Sequence, residues 1–300
     1  MAWRSWNAFG AGIDADLIRQ QIDALTNRKW KIGGRLMSLH DVGYGSVGID
    51  EGWELCHNVS GPLNRGGRSQ PSGSGGSVDP WGLGIDHFPN GTPSVNDKFN
   101  GKLNELVDYG HSNSVEMGFY FNGCACANHG NRRGKGSPPQ DYIGDVTLLH
   151  DMDFDGAKFD NCGGQRNLTK YAELMKASGK NYSIENCHWG QCLTDDASSC
   201  PSQDWCPFNW FRSSNDINSD QLSWFENLQT MIRFSDVSQP SCWAYPDVRS
   251  QGAPYALSSP HSRPRLVACA TCITHQNHSR IVLTMHVCIL LADAGGGPCR

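Results

Sequence analysis

Apolar positions along the first 235 residues recur with two periods. Leu17, Ile18, Ile22 and Leu25 share one face of a helix that Asp14 is placed to cap, and Phe99, Leu103, Leu106 and Val107 share another. Leu168, Tyr171, Ala172 and Met175 give a third such face, and Leu222, Phe225, Leu228 and Ile232 a fourth. Short strand-like runs lie between the helices: SVGID at 46–50, VEMGFYF at 115–121, GAKFD at 156–160 and NYSIEN at 181–186. Each run is poor in charge except at or near its C-terminal end. Alternating strand and helix predicts parallel strands joined by crossover helices, and the number of repeats suits a closed barrel better than a doubly wound sheet. No GxGxxG follows the first strand. In such a barrel the site forms at the C-terminal ends of the strands, which singles out Asp50, Glu51, Tyr120, Asp160 and Glu185.

Composition narrows the class. A chain of 300 residues suits one main α/β domain, and a net charge of −5 with 18% charged residues and no basic run excludes a nucleic-acid partner. The most apolar stretch, 281–294, is too short for a membrane span and contains His286, so the chain reads as soluble, with no membrane partner. Thirteen Cys and sequons at Asn58, Asn90, Asn167, Asn181 and Asn277 point to the oxidising secretory pathway, extracellular, lysosomal or vacuolar. The opening MAWRSWNAFG lacks the charged, apolar and cleavage regions of a signal peptide. The Ser- and Gly-rich run at 68–82 reads as a surface loop. From about Ser250 the Trp, Phe and acidic residues almost vanish, so residues 1–249 are expected to form the barrel and 250–300 a divergent tail.

Several polar residues could carry chemistry. Glycoside hydrolysis with retention needs two carboxyl groups about 5–5.5 Å apart, one a nucleophile and the other an acid/base. Asp160 suits the nucleophile, because Lys158 lies two residues back on the same face of an extended strand and would favour its ionised form. Asp216, four residues after Arg212, is a candidate for the second carboxyl. Asp50 and Glu51 could bind sugar hydroxyls, with the Trp53 indole stacking on a ring. Cys124, Cys126, His129, Cys162, Cys187 and His188 match no common zinc spacing, so disulfides are the simpler reading and no metal is assigned.

Seven motifs in order, WRSWNAFG, VGIDEGW, VDYGHSNSVEMGFYFNGC, GAKFDNCG, ENCHWG, WFRSSNDIN and CWAYPD, make residues 1–247 resemble glycoside hydrolase family 27, the melibiase group best known for alpha-galactosidases. The resemblance implies a (β/α)8 TIM barrel, a retaining two-Asp mechanism without cofactor and a following β domain, although neither an eighth strand nor that domain is recognisable beyond Asp247. It casts Asp160 as nucleophile and Asp216 as acid/base, and places Trp6, Asp50, Glu51, Tyr120, Lys158, His188, Arg212 and Asp247 around the sugar. It also implies a disulfide from Cys162 to either Cys124 or Cys126. The implied partners are alpha-galactoside oligosaccharides or glycoconjugates, and a homo-oligomer is compatible with it. Two departures bear on the sugar: Asp50-Glu51-Gly52 lengthens one arm of the family's usual Asp-Asp pair, and His188 stands where a Glu is common. Alternatives are an inactive sugar-binding barrel, or the same mechanism on alpha-N-acetylgalactosamine or beta-L-arabinopyranose.

Overall fold

Seven strands, β1 (Ala2–Arg4), β2 (Ser46–Gly48), β3 (Glu116–Phe121), β4 (Gly156–Asp160), β5 (Ser183–Cys187), β6 (Trp210–Arg212) and β7 (Trp243–Tyr245), pair in chain order. Every pairing is parallel. The computed structural model describes residues 2–55, 57–58, 84–85, 87–88, 90–121, 139–160, 165–187, 200–217 and 221–247. All of these belong to one compact unit, Met1–Ala253. The anticipated tail at 250–300, the disulfide candidates Cys124, Cys126 and Cys162, and His188 lie outside the described residues. No helix among the described residues is long and apolar enough to cross a membrane.

Among the described residues, five helices longer than two turns accompany the strands: α1 (Ala15–Thr26), α2 (Leu103–Ser112), α3 (Pro139–Asp151), α4 (Leu168–Ala177) and α5 (Gln221–Gln229). Asp14 caps α1 as anticipated, its Oδ1 accepting from the Leu17 amide at 2.7 Å. Ile18, Ile22 and Leu25 are buried from α1, and Leu103, Leu106 and Val107 from α2, so these faces follow the periodic reading. The face expected on α5 does not pack that way. Leu222 and Phe225 are exposed, as is Ile232 in the short 3-10 turn that follows, while the polar Asn227 is buried and donates to the Asn215 and Asp247 carbonyls. Asn227 thus ties this helix to the loops by hydrogen bonds, beside the half-buried Trp224 and Leu228.

Strand periodicity divides the sheet into two chemically different faces. Val47, Ile49, Met117, Phe119, Phe121, Ala157, Phe159, Ile184 and Phe211 are buried in the apolar core. Their alternate neighbours, Gly48, Gly118, Tyr120, Gly156, Lys158, Glu185 and Arg212, are small, aromatic or charged. Register aligns this second set across the strands, Tyr120 with Lys158 and Lys158 with Glu185. The two faces therefore serve different ends, one burying apolar area at about 25 cal/mol per Å² and the other holding polar groups in a lumen.

Hydrogen bonds across that lumen show how far the sheet curls. In a flat sheet β1 and β5 would lie about 19 Å apart, since neighbouring strands are spaced by roughly 4.8 Å. Yet Arg4 on β1 forms an ion pair with Glu185 on β5, and Tyr245 on β7 donates to the same carboxylate. Only a rolled sheet allows both. The architecture is an incomplete (β/α)8 barrel, with β1 and β7 its edge strands among the described residues.

Helix α3 buries Tyr142, Val146 and Leu149 at helical spacing, and the same side also buries Asp141 and Asp145 while Ile143 is exposed. Asp145 is satisfied: His87 Nε2 lies 2.8 Å from Oδ1, and Oδ2 accepts from the Tyr171 hydroxyl at 2.5 Å and from Gln165. This buried network ties the segment before α2 to α3 and α4. The same segment presses on α3 so closely that a Cβ on Gly144 would come within 1.7 Å of the Gly91 carbonyl oxygen. Intrinsic helix propensity would make Gly144→Ala stabilising by about 1 kcal/mol. The expected outcome is the opposite sign, a loss of about 1–3 kcal/mol from overpacking against backbone, read as a lower urea midpoint.

Candidate active site

The loop that leaves β2 is built to present acidic groups. The Asp50 amide donates to Ser5 Oγ at 3.0 Å, and Asp50 Oδ1 accepts from the Glu51 amide at 2.9 Å. Gly52 follows at φ +121°, with a would-be Cβ only 2.6 Å from the Ala11 carbonyl oxygen, so no other residue fits the turn. Its carbonyl accepts from Asn96 Nδ2 at 2.7 Å, and its amide donates to Glu54 Oε2 at 2.8 Å. Trp53 does not serve as a sugar platform: it is 1% exposed, packs against Phe119 and Phe121, and donates from Nε1 to the Tyr120 carbonyl at 2.9 Å. It is a core residue that fixes the loop to β3.

Lys158 rises from β4 and donates to Asp50 Oδ2 at 2.8 Å, with both side chains nearly sealed from water. Burial opposes the ammonium, but the carboxylates around it, Asp50 foremost, raise it above the ordinary lysine range, so it stays charged. The Lys158 ammonium is thus committed to Asp50. Asp160, two residues further on and half-buried, instead accepts from the Tyr120 hydroxyl at 2.8 Å. Burial and the carboxylates of Asp160, Glu51, Asp50 and Glu54 push the Tyr120 phenol well above its usual value, which keeps it a neutral donor. The charges of Asp160 and Lys158 act on each other, while the Lys158 hydrogen bond goes to Asp50 and the Tyr120 phenol donates to Asp160.

A second cluster forms at the ends of β6 and β7. Arg212 Nη1 donates to Asp216 Oδ1 at 2.6 Å and to Asp247 Oδ2 at 3.3 Å. Burial works against the Arg212 charge, yet the carboxylates of Asp216 and Asp247 hold it above the ordinary value. Asp247 also accepts from the Ile217 amide at 3.2 Å, and its burial nevertheless raises its pKa. The Asp216 side chain is 69% exposed, at the rim. Trp6 sits on a four-residue helical turn directly after β1 and is 40% exposed.

Cys187 links the clusters. It is the register partner of Asp160 on the neighbouring strand end, is buried, and feels the charges of Lys158, Asp160, Arg212 and Glu185. Burial foremost pushes its thiol above the ordinary range, so it is a neutral wall group rather than a nucleophile. Among the described residues, Asp50 and Glu51 lie just beyond β2, Tyr120 and Asp160 at the C-terminal ends of β3 and β4, Arg212 at the end of β6, and Asp216 and Asp247 in the loops that follow β6 and β7, while Lys158 and Glu185 sit mid-strand on β4 and β5. Arg4, Tyr245 and Cys187 were not assigned to the site. Tyr245 was within reach of the same alternation, being two residues before Asp247. Arg4 was not, because β1 is too short to show a period. The Cys206–Cys242 disulfide, which joins the loop leading into β6 to the residue immediately before β7, was also unassigned.

No protein-family model matches the chain. An alpha-galactosidase of Oryza sativa subsp. japonica is 24% identical over 84% of this chain and 51% of its own length. Among solved structures, alpha-galactosidase from Saccharomyces cerevisiae with raffinose superposes with a TM-score of 0.55 and 15% identity, covering 81% of this chain and 50% of that one. A GH27 beta-L-arabinopyranosidase from Geobacillus stearothermophilus in complex with arabinose gives 0.56 and 11% identity, over 81% of this chain and 60% of that one. The chain thus spans about half the length of the curated relatives it matches.

A prediction follows for the Lys158–Asp50 pair. Lys158→Met leaves Asp50 as a buried carboxylate without its cation and is expected to cost about 3–5 kcal/mol of stability. Pairing it with Asp50→Leu should recover most of that loss. Urea titration of the two single variants and the double variant provides the check.

Proposed function

We propose that this chain, whose likenesses support its assignment to glycoside hydrolase family 27, acts as a retaining glycosidase that releases terminal alpha-linked galactose from galactosides. The observation that carries the reading is the double cluster at the strand ends: Asp160 held by Tyr120 beside the Lys158–Asp50 pair, and Asp216 held by Arg212. Two carboxyl groups in different surroundings are what double displacement requires.

In the first step Asp160 attacks the anomeric carbon while Asp216, as the acid, gives its proton to the departing glycosidic oxygen. The bond to the aglycone breaks and a covalent glycosyl–Asp160 ester forms. In the second step Asp216, now ionised, takes a proton from water as that water displaces Asp160, and the sugar leaves with its original anomeric configuration. The exposed position of Asp216 admits the water and allows proton exchange with solvent. Tyr120 orients the Asp160 carboxylate by donating to its Oδ2, and in this reading Asp50 and Glu51 accept from sugar hydroxyls.

Carbohydrate contacts by Trp6, Asp247 and His188 belong to the same proposal, as does a secretory location with alpha-galactoside oligosaccharides or glycoconjugates as partners. The longer arm of Glu51 and the imidazole at 188 favour a second reading on the sugar alone, in which the same chemistry acts on beta-L-arabinopyranose or alpha-N-acetylgalactosamine. Beta-L-arabinopyranose matches galactose in ring configuration but lacks the exocyclic CH2OH, so a panel of aryl glycosides separates these substrates.

Asp160→Asn is expected to abolish hydrolysis of an aryl alpha-galactoside, and Asp216→Ala to lower kcat/KM by about 10²–10⁴-fold for substrates with poor leaving groups while sparing kcat/KM for activated ones, whose kcat falls because the second step has lost its base. Proton NMR of the first-formed sugar should show the alpha anomer. Full activity in Asp160→Asn, or an inverted product, would sink the assignment. Sugar binding by the unmodified protein without turnover would favour an inactive sugar-binding barrel instead.

A further inference from the structure

Beneath the two clusters lies a charge network that the proposed chemistry does not use. Glu185 on β5 is the register partner of Lys158 on β4, so the carboxylate stands next to the ammonium on the lumen face. Left to itself, Glu185 would compete with Asp50 for Lys158. Both of its oxygens are already taken: Arg4 Nη2 donates to Oε2 and the Tyr245 hydroxyl donates to Oε1. Arg4 reaches this point across Gly48 and Gly118. A Cβ on Gly48 would lie 2.5 Å from Arg4 Nη1, and one on Gly118 would lie 3.6 Å from it. The two glycines leave the channel through which an arginine from the first strand enters the lumen.

We propose that Arg4 and Tyr245 are positioning residues, which engage both oxygens of Glu185 and so reserve the Lys158 ammonium for Asp50 beside the reacting carboxylate. The inference rests on the glycosidase reading for its kinetic consequence, though not for its structural one. The groups acting on Glu185 are Arg4 from β1, Lys158 from β4 and Tyr245 from β7, with Cys187 on its own strand. Burial opposes the Glu185 charge, but Arg4, then Lys158 and the Tyr245 hydrogen bond, hold its pKa below the ordinary glutamate value. Burial and Glu185 itself push the Tyr245 phenol well up, so it remains a donor across the working pH range. Without Arg4 the nearest remaining cation is Lys158, and the shared lumen face lets it swing from Asp50 to Glu185.

The test follows the ammonium directly. In protein labelled with 15N-lysine, the Lys158 side-chain resonance is assigned by its absence in Lys158→Arg. Arg4→Met should shift that resonance, and adding Glu185→Gln should return it, because the competing charge is gone. In parallel, kcat/KM on an aryl alpha-galactoside should fall by roughly tenfold or more in Arg4→Met and recover to within about threefold in the double variant. The Arg4→Met defect should also shrink as pH falls, since protonating Glu185 releases Lys158, and this pH dependence should vanish with Glu185→Gln. A brace that only stabilised the fold would give none of this recovery in activity measured well below the unfolding temperature.

Tyr245→Phe frees only Oε1 and should show the same shift in smaller measure, so it decides the matter if Arg4→Met does not fold. An unmoved Lys158 resonance in the variant that folds, or no recovery on adding Glu185→Gln, overturns the proposal. If the unmodified protein hydrolyses no glycoside, the functional reading falls and the resonance still decides this one.

Discussion

A carboxylate at Asp50 and an ammonium at Lys158 are each too costly to bury alone, and the arrangement of the site depends on their being buried together. Their 2.8 Å contact joins the loop after β2 to the end of β4 across β3, so it forms only once three consecutive strands are in register. That register also places Tyr120 beside Asp160. Folding and site assembly are thus one event at this point. A misregistered strand would turn Lys158 toward the apolar side, where Phe119, Phe121 and Phe159 pack.

The lumen departs from the common filling of a parallel barrel, where layers of branched aliphatic residues occupy the interior. Here glycines on three neighbouring strands, Gly48, Gly118 and Gly156, line up across the sheet, and a guanidinium enters the space over the first two. Charge then has to be balanced within the lumen. Arg4 answers Glu185, Lys158 answers Asp50, and Arg212 answers Asp216 and Asp247. Each cation comes from a different strand, so the electrostatic pairing reinforces the curl that the backbone hydrogen bonds alone do not specify.

The legible parts of the sequence were those where one physical demand dominated. Helix α1 has a capping Asp14 and a clean apolar face, and both appear where periodicity put them. GAKFD shows the strand alternation and ends on the proposed nucleophile, and its bounds match β4. Where two demands compete, the pattern blurs. On α3 a hydrogen-bonded network receives the buried Asp145, so a charged position interrupts the apolar face of Tyr142, Val146 and Leu149. Trp53 sits beside acidic residues and looked like a sugar platform, but its indole has core neighbours and a carbonyl to bind. Arg4 lies on a three-residue strand, too short to show which face it joins.

Competing demands also act on the helix before β7, whose apolar spacing does not become a buried face. Leu222 and Phe225 have helical spacing, and spacing alone assigns them to a core. Burial is decided by what the opposite surface offers. Among the described residues next to α5, the loop carbonyls of Asn215 and Asp247 accept from Asn227, while Leu222 and Phe225 are exposed. Those carbonyls belong to the residues immediately around Asp216 and Asp247. The helix therefore holds the proposed acid/base loop by directional bonds at fixed positions, a firmer geometric constraint than apolar contact that tolerates sliding. Exposed apolar side chains on α5 are the counterpart of a helix oriented by the needs of the site it supports.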